Sequence, residues 1–239
     1  MARLATTPWR ARWAETRLEW TESNTADDER QPNVGQTAYE SVEIAIEVRS
    51  ATEAIVNFEV PEPVQCSIAY GTGKEYGTLR ADEMMTGPIE RHRIPIKIDP
   101  GTVYSARLNL LDNALNAIQT PEFTFTTPET GTATRSTSQT LAYVETDNAD
   151  ALFTSQPAVD IGEQQATVAY DTTVPTLAAT QFRQDDISTT RRDLESTPHT
   201  SHGVSIRGLQ ANTKTQWRIG LVTSDASISR TVVMSFDTG

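Results

Sequence analysis

Few residues in this chain of 239 could run a reaction or hold a metal: it has three histidines, one cysteine and 32 carboxylates. His199 and His202 stand three apart beside Asp193 and Glu195, a set able in principle to ligate zinc through imidazole nitrogens and carboxylate oxygens. The segment Asp193–Gly203 is rich in Ser and Thr, so a solvated loop is expected there instead. His92, flanked by Arg91 and Arg93, is expected on a strand facing water. Asp185, Asp186 and Asp171 carry the hard oxygens that calcium takes, but not the alternate spacing of a calcium loop. A dinuclear hydrolytic centre needs several Asp, Asn and His ligands brought from strand ends, which three histidines do not supply. There is no nucleophile elbow, phosphate loop or dinucleotide fingerprint. No catalytic residue, metal or other cofactor is therefore expected. Arg191-Arg192 suits an ion pair at an interface. Cys66, alone in the chain, is expected as a small buried apolar residue in a strand.

The residues best suited to hold a partner lie at the start of the chain. Three of the four tryptophans, Trp9, Trp13 and Trp20, fall in residues 1–37, together with Arg12 and Arg17. Trp and Arg dominate the energetics of protein interfaces. A helix would bring the three tryptophans to one face; a strand over Thr16–Thr21 would put Leu18 and Trp20 on one side. Either they pack back on the β domain that follows, or the arm anchors the chain to a partner or neighbouring subunit. Residues 24–35 are polar and read as a loop.

Behind the arm the chain repeats itself. Thr102 and Thr213 lie 111 residues apart, as do Arg107 and Arg218, and Phe125 and Phe236. Val168 and Tyr170 match Val56 and Phe58 at a spacing of 112, and Phe182 matches Tyr70. Val42, Ile44, Ile46 and Val48 alternate with polar residues, and so do Ile94, Ile96 and Ile98, the pattern of half-buried strands. Pro61 to Pro63 is expected to turn the chain between two strands, and Pro95 to mark an edge or bulge. Thr102–Leu111 and Pro121–Thr127 complete about seven strands. The organisation expected is an arm (1–37), a sandwich (38–128), a Thr/Ser-rich semi-flexible linker (129–149) and a second sandwich (150–239). Leu141, Tyr143 and Val144 imply that the later part of the linker packs on something.

Composition narrows the partners. The net charge is −12, with 17 Arg against three Lys, and Thr occurs 36 times. Thr and Val favour pleated, half-buried surfaces. An acidic, Lys-poor surface suits concentrated salt, where screening falls to roughly 3 Å at 1 M; a GC-rich genome also favours Arg over Lys. A chain this acidic is ill suited to a phosphate backbone, so no nucleic-acid partner is expected. No stretch approaches the roughly 20 apolar residues of a membrane span, and the N-terminus lacks the apolar region of a signal peptide. No membrane insertion is expected, and synthesis and release in the cytoplasm are.

Both copies resemble fibronectin type III domains. The resemblance is carried by Ser50-Ala51-Thr52-Glu53-Ala54-Ile55-Val56, Ile68-Ala69-Tyr70-Gly71-Thr72-Gly73, Pro100-Gly101-Thr102-Val103-Tyr104 and Phe123-Thr124-Phe125-Thr126-Thr127. Tyr70-Gly71-Thr72 looks like the sandwich that precedes the catalytic domain of purple acid phosphatases. The second copy departs from the pattern: Thr215 stands at the place of Tyr104, Asn212 at that of Gly101, and Tyr170 where the family has a tryptophan. The resemblance implies an all-β fold of two tandem seven-stranded fibronectin type III-like β-sandwiches with an N-terminal arm, and a spacer or interaction role. The expected function is a non-enzymatic structural subunit of a larger assembly: a virion protein, in a capsid decoration, turret, tail or baseplate, of a tailed virus of a salt-loving prokaryote. Its partners would be protein subunits of that assembly, formed in the host cytoplasm. The alternative is a cell-surface adhesion or glycan-binding module, which would place host glycans among the partners and the protein outside the cell.

Overall fold

The structure is a computed structural model and describes residues 32–73, 75–82, 87–185, 187–192 and 196–238. The partner-binding candidates Trp9, Arg12, Trp13, Arg17 and Trp20 lie outside the described residues.

The described residues are all-β apart from one 3-10 turn and form two tandem β-sandwiches. The first contains β1 (Thr37–Ser50), β2 (Glu53–Gly71), β3 (Thr78–Ala81), β4 (Ile89–Lys97), β5 (Val103–Leu111), β6 (Ala117–Gln119), β7 (Phe123–Thr126) and β8 (Ala133–Val144). The second contains β9 (Asp147–Asn148), a 3-10 turn (Ala149–Leu152), β10 (Ala158–Ile161), β11 (Gln165–Gln184), β12 (Ile187–Arg192), β13 (His199–Arg207), β14 (Lys214–Thr223), β15 (Ile228–Arg230) and β16 (Met234–Asp237).

The period-2 residues build the first core as the sequence implies. Val42, Ile44, Ile46 and Val48 of β1 face Ile94 and Ile96 of β4 and Leu108 and Leu110 of β5 within one apolar cluster. Strand β2 serves both layers: its first half pairs with β1 and β4, its second with β3 and β5. The expected turn at Pro61 to Pro63 is therefore corrected. The chain stays extended through the prolines, which sit, exposed, where the β2–β4 register jumps between Glu59 and Val64. A proline is tolerated there because a bulge asks for no ladder donor. Strand β11 makes the same crossing, with its jump between Asp171 and Thr176.

The linker is corrected more substantially. Residues 133–144 form β8, which pairs antiparallel with β1 from Ala133↔Val48 to Ala142↔Thr37 and also with β6. It covers an edge of β1 that would otherwise expose unpaired N–H and C=O groups. Thr134, Ser136, Ser138 and Thr140 are exposed on one face and Thr137 and Gln139 are half-buried on the other, while Leu141 is wholly buried in the first core and Val144 packs against the contact between the sandwiches.

The second sandwich compensates for its departures. In the first copy the Tyr104 hydroxyl accepts the Asp99 N–H at 2.7 Å, holding the turn before β5. At the equivalent turn the Gln210 N–H donates to Gln184 Oε1 at 2.8 Å, and the Gln184 amide donates to Thr215 Oγ1, at the place of Tyr104, also at 2.8 Å. A glutamine–threonine pair thus replaces one tyrosine. Asn212 adopts the left-handed conformation of Gly101 (φ 52° against 61°), which Asn tolerates better than most residues. Trp217, only 1% exposed, stands at the place of Ala106 and packs the second core.

Candidate functional site: the junction of the two sandwiches

The most elaborate polar and apolar arrangement among the described residues lies where the sandwiches meet. Ala69, Leu79, Ala81, Leu111, Leu115 and Ala117 of the first form one buried cluster with Leu177, Ala179, Val222, Ala226 and Ile228 of the second. The 111-residue offset maps Leu111 onto Val222, Leu115 onto Ala226 and Ala117 onto Ile228. These three pairs give the junction a self-complementary centre, as in a two-fold dimer, whereas Ala69, Leu79 and Ala81 correspond to Gln181, Thr190 and Arg192 in the second sandwich.

The polar contacts obey the same exchange. Gln119 Nε2 donates to the Ala226 carbonyl at 2.7 Å. Arg230, its counterpart, donates through Nη1 to the Leu115 carbonyl at 3.4 Å and to Asn116 Oδ1 at 2.9 Å. The two accepting residues are both left-handed, Leu115 at φ 56° and Ala226 at φ 69°. For a residue with a Cβ that conformation costs roughly 1–2 kcal/mol. Equivalent bonds hold both turns: Leu115 N–H to the Asp112 carbonyl and Ala226 N–H to that of Thr223, at 2.9 and 3.0 Å. The strain directs an apolar side chain into the junction and a carbonyl at the other sandwich. At Asp225, burial raises the carboxyl pKa, but hydrogen bonds from the Thr223 and Ser227 hydroxyls and the Ser227 N–H outweigh it and hold the group below its usual range. Around this centre Thr190 Oγ1 donates to the Asn113 carbonyl at 3.1 Å, and the Ala81 N–H to that of Ser196 at 3.0 Å.

Among the described residues, the expected chemical residues are not brought together into a reactive set. His92 is corrected from a water-facing residue to a buried one, 3% exposed, stacked on Phe58 at 4.7 Å. Its Nδ1 lies 3.4 Å from Asp82 Oδ2, without the alignment of a hydrogen bond. His199 and His202 are corrected from loop to strand β13. His202 is also 3% exposed, stacks on Tyr170 at 5.0 Å, and its Nε2 lies 3.0 Å from Thr176 Oγ1. Phe58/His92 and Tyr170/His202 are cross-strand partners at equivalent places, so the repeat keeps a buried imidazole on an aromatic ring. The sequence signal is parity: His92 shares a face with Ile94 and Ile96, and His202 with Val204 and Ile206.

Asp193, Glu195 and Asp186 lie outside the described residues, and among the described residues no three His, Cys, Asp or Glu side chains are grouped to hold a metal. Asp185 is left-handed at φ 48°, and Asp171 uses its carbonyl to accept the Thr154 N–H. Arg192, expected to form an interface ion pair, does reach the junction, where its guanidinium donates to the Asp82 main-chain carbonyl. Cys66 is buried, and desolvation pushes its thiol well above the usual range.

Beside the junction runs an open groove of about 840 Å³ whose lining is mostly apolar, with Leu79, Leu152, Val174 and Pro175, and carries Arg80, Asp147, Asn148 and Asp225 among them. No described helix is long and apolar enough to cross a membrane. Gly71 has a structural reason of its own, since a Cβ there would overlap the Tyr76 carbonyl. The likeness of Tyr70-Gly71-Thr72 to the purple acid phosphatase sandwich is unconfirmed.

No protein-family model and no curated protein sequence matches the chain. Solved structures similar to it include a chain of a cytokine receptor complex, at 14% identity and a TM-score of 0.29, covering 77% of this chain and 91% of that one. The FN1–FN3 domains of chicken CNTN1 are similar at 12% identity and a TM-score of 0.29, covering 79% of this chain and 63% of that one.

Proposed function

We propose that the chain is a non-enzymatic structural subunit of a larger protein assembly, in which residues 1–37 attach it and the paired sandwiches project as one stiff body. The observation that carries this reading is the junction. Two domains joined through an apolar patch, reciprocal hydrogen bonds and two strained turns make a spacer of fixed geometry rather than a flexible tether. The residues suited to attachment, Trp9, Arg12, Trp13, Arg17 and Trp20, are concentrated in the sequence before the first strand of that body.

The finer setting we propose is a virion of a tailed virus with a salt-loving prokaryotic host, the protein serving as capsid decoration, turret, tail or baseplate component. It is supported by the −12 charge, the excess of Arg over Lys and the tandem sandwiches. The test is solution mass by light scattering, at low and at molar salt, for the full chain and for a chain beginning at Ala38. An oligomer that becomes a stable monomer on truncation supports the reading. Identical monomers refute it.

The groove favours a second reading, a glycan-binding module. Its carboxylate, amide, guanidinium and hydroxyl groups suit sugar hydroxyls. Glycan-array binding that Asp225→Ala abolishes would support it.

A further inference from the structure

Residues 18–27 repeat residues 141–150. Leu18-Glu19-Trp20-Thr21-Glu22-Ser23-Asn24-Thr25-Ala26-Asp27 stands 123 positions before Leu141-Ala142-Tyr143-Val144-Glu145-Thr146-Asp147-Asn148-Ala149-Asp150. Leu, Glu, Ala and Asp coincide, an aromatic fills the third place, a hydroxyl residue the sixth and Asn or Asp the seventh. At the same offset Arg12 matches Arg135.

The later copy has a defined task. Its front half completes the sandwich before it: Leu141 lies in the first core, Tyr143 packs on that core, and the strand leading into them covers β1. Its back half seats the sandwich after it. Asp147 and Asn148 pair with β15, Asn148 caps the 3-10 turn, and Ala149 lies in the second core. The segment couples one sandwich to the next. Its earlier copy calls for a sandwich whose matching edge is open.

The second sandwich has that edge. Strand β10 is the counterpart of β1, since Val159 pairs with Val168 as Ile46 pairs with Val56. Among the described residues β10 pairs with β11 alone, whereas β1 is covered by β8. The Gly162 N–H donates to the Gln165 carbonyl at 2.8 Å, so the alternation of an antiparallel ladder turns the N–H and C=O of Val159 and Ile161 outward. Ile161 is 41% exposed, and Phe153 and Val159, both along this side of β11, are only partly buried. On β1 the matching residues Ile46 and Val48 pair with Arg135 and Ala133. The 123-residue offset converts these partners to Arg12 and Arg10, whose charge suits an edge bearing Asp160 and Glu163.

We infer that residues 10–21 of one copy add as an edge strand to β10 of a second copy, with Arg12 opposite Val159 and Arg10 opposite Ile161. Main-chain bonds would supply affinity, and Leu18 and Trp20 would cover the rim of the second core as Leu141 and Tyr143 cover the first. The contact is heterologous and propagates head to tail. The inference rests on the arm being an attachment element and names its partner and seat.

Two full-length variants test it. Ile161→Pro removes an outward N–H and spares the bonds to β11; Leu18→Asp with Trp20→Asp disables the arm. By size exclusion with light scattering, each variant alone should be a monomer, the wild type larger, and an equimolar mixture of the two variants a dimer of twice the monomer mass. Oxidative cross-linking keeps the question open should Ile161→Pro misfold. In a Cys66→Ala background, Arg10→Cys and Ile161→Cys chains should couple, whereas Arg10→Cys and Val232→Cys chains should not. If Ile161→Pro assembles like wild type through an intact arm, β10 is overturned as the seat while the attachment reading stands. If the wild type is a monomer whose mass and melting the arm substitutions leave unchanged, both are overturned.

Discussion

Replacing Leu115 should give an inverted order of stabilities. Leu115 is wholly buried, yet it belongs to the junction cluster rather than to either sandwich core, and it is left-handed at φ 56°. Leu115→Ala removes the side chain and keeps the strain, at about 2–5 kcal/mol for a buried Leu→Ala. Leu115→Gly removes one more methyl, worth about 0.8 kcal/mol, but relieves roughly 1–2 kcal/mol of left-handed strain. Glycine should therefore be the less harmful substitution by up to about 1 kcal/mol, against the usual ranking for a buried leucine. Urea unfolding of the three chains, followed by circular dichroism, measures the difference. Calorimetry adds the location: the loss should uncouple the sandwiches, splitting one transition into two, whereas Leu108→Ala in the first core should lower that sandwich alone. A glycine variant less stable than the alanine one by 1 kcal/mol or more would refute the argument that a strained turn is held in place by the junction.

Other outcomes follow from single contacts. Gly71→Ala should prevent folding of the first sandwich or cost more than about 4 kcal/mol, read as loss of soluble protein or of its transition, because the new methyl overlaps the Tyr76 carbonyl. Thr238→Val should cost about 1–3 kcal/mol, since its hydroxyl accepts the Thr213 N–H at 3.0 Å and donates to the turn carbonyls; Thr127→Val should match it in the first sandwich. Alkali should destabilise the protein. Burial first, then Glu62, pushes Tyr39 from 10.0 to about 12, and burial also raises Tyr70, Tyr76, Tyr104 and Tyr143. Groups with raised folded values stabilise fully below about pH 10 and lose that contribution as pH rises toward 12, so tyrosinate absorbance should appear late and together with unfolding.

The strands that alternate cleanly were legible in the sequence, as were both copies of the sandwich, because one face of each strand is buried and the other wet. Strand β8 was not, because the face opposite its exposed Ser and Thr carries Arg135, Thr137 and Gln139 before Leu141, which leaves no apolar period-2 signal. The unbroken β2 was hidden by Pro61 and Pro63, which ordinarily end strands but sit here at a bulge. His92 reads as exposed from its arginine neighbours and His202 as a loop residue from the Ser and Thr around it, although their parity with Ile94 and Val204 points inward. The junction had a signal that only the repeat could expose: Leu115 and Ala226 are apolar in turns that normally meet water, and Leu111, Ala117, Val222 and Ile228 are apolar at the strand ends beside them. The coupling segment was missed because its copies are offset by 123 residues, not by the 111 or 112 of the sandwiches.

The claim that the arm is the attachment element can be tested through its own chromophores. Trp217 is the single tryptophan outside residues 1–37, so a Trp217→Phe chain emits from Trp9, Trp13 and Trp20 alone. Acrylamide quenching of that chain should be measured across a dilution series. If the arm attaches copies to one another, the tryptophans should be shielded and blue-shifted at high concentration and become quenchable on dilution. Shielding that does not change with concentration would contradict the claim, because the arm would then be packed on its own sandwich.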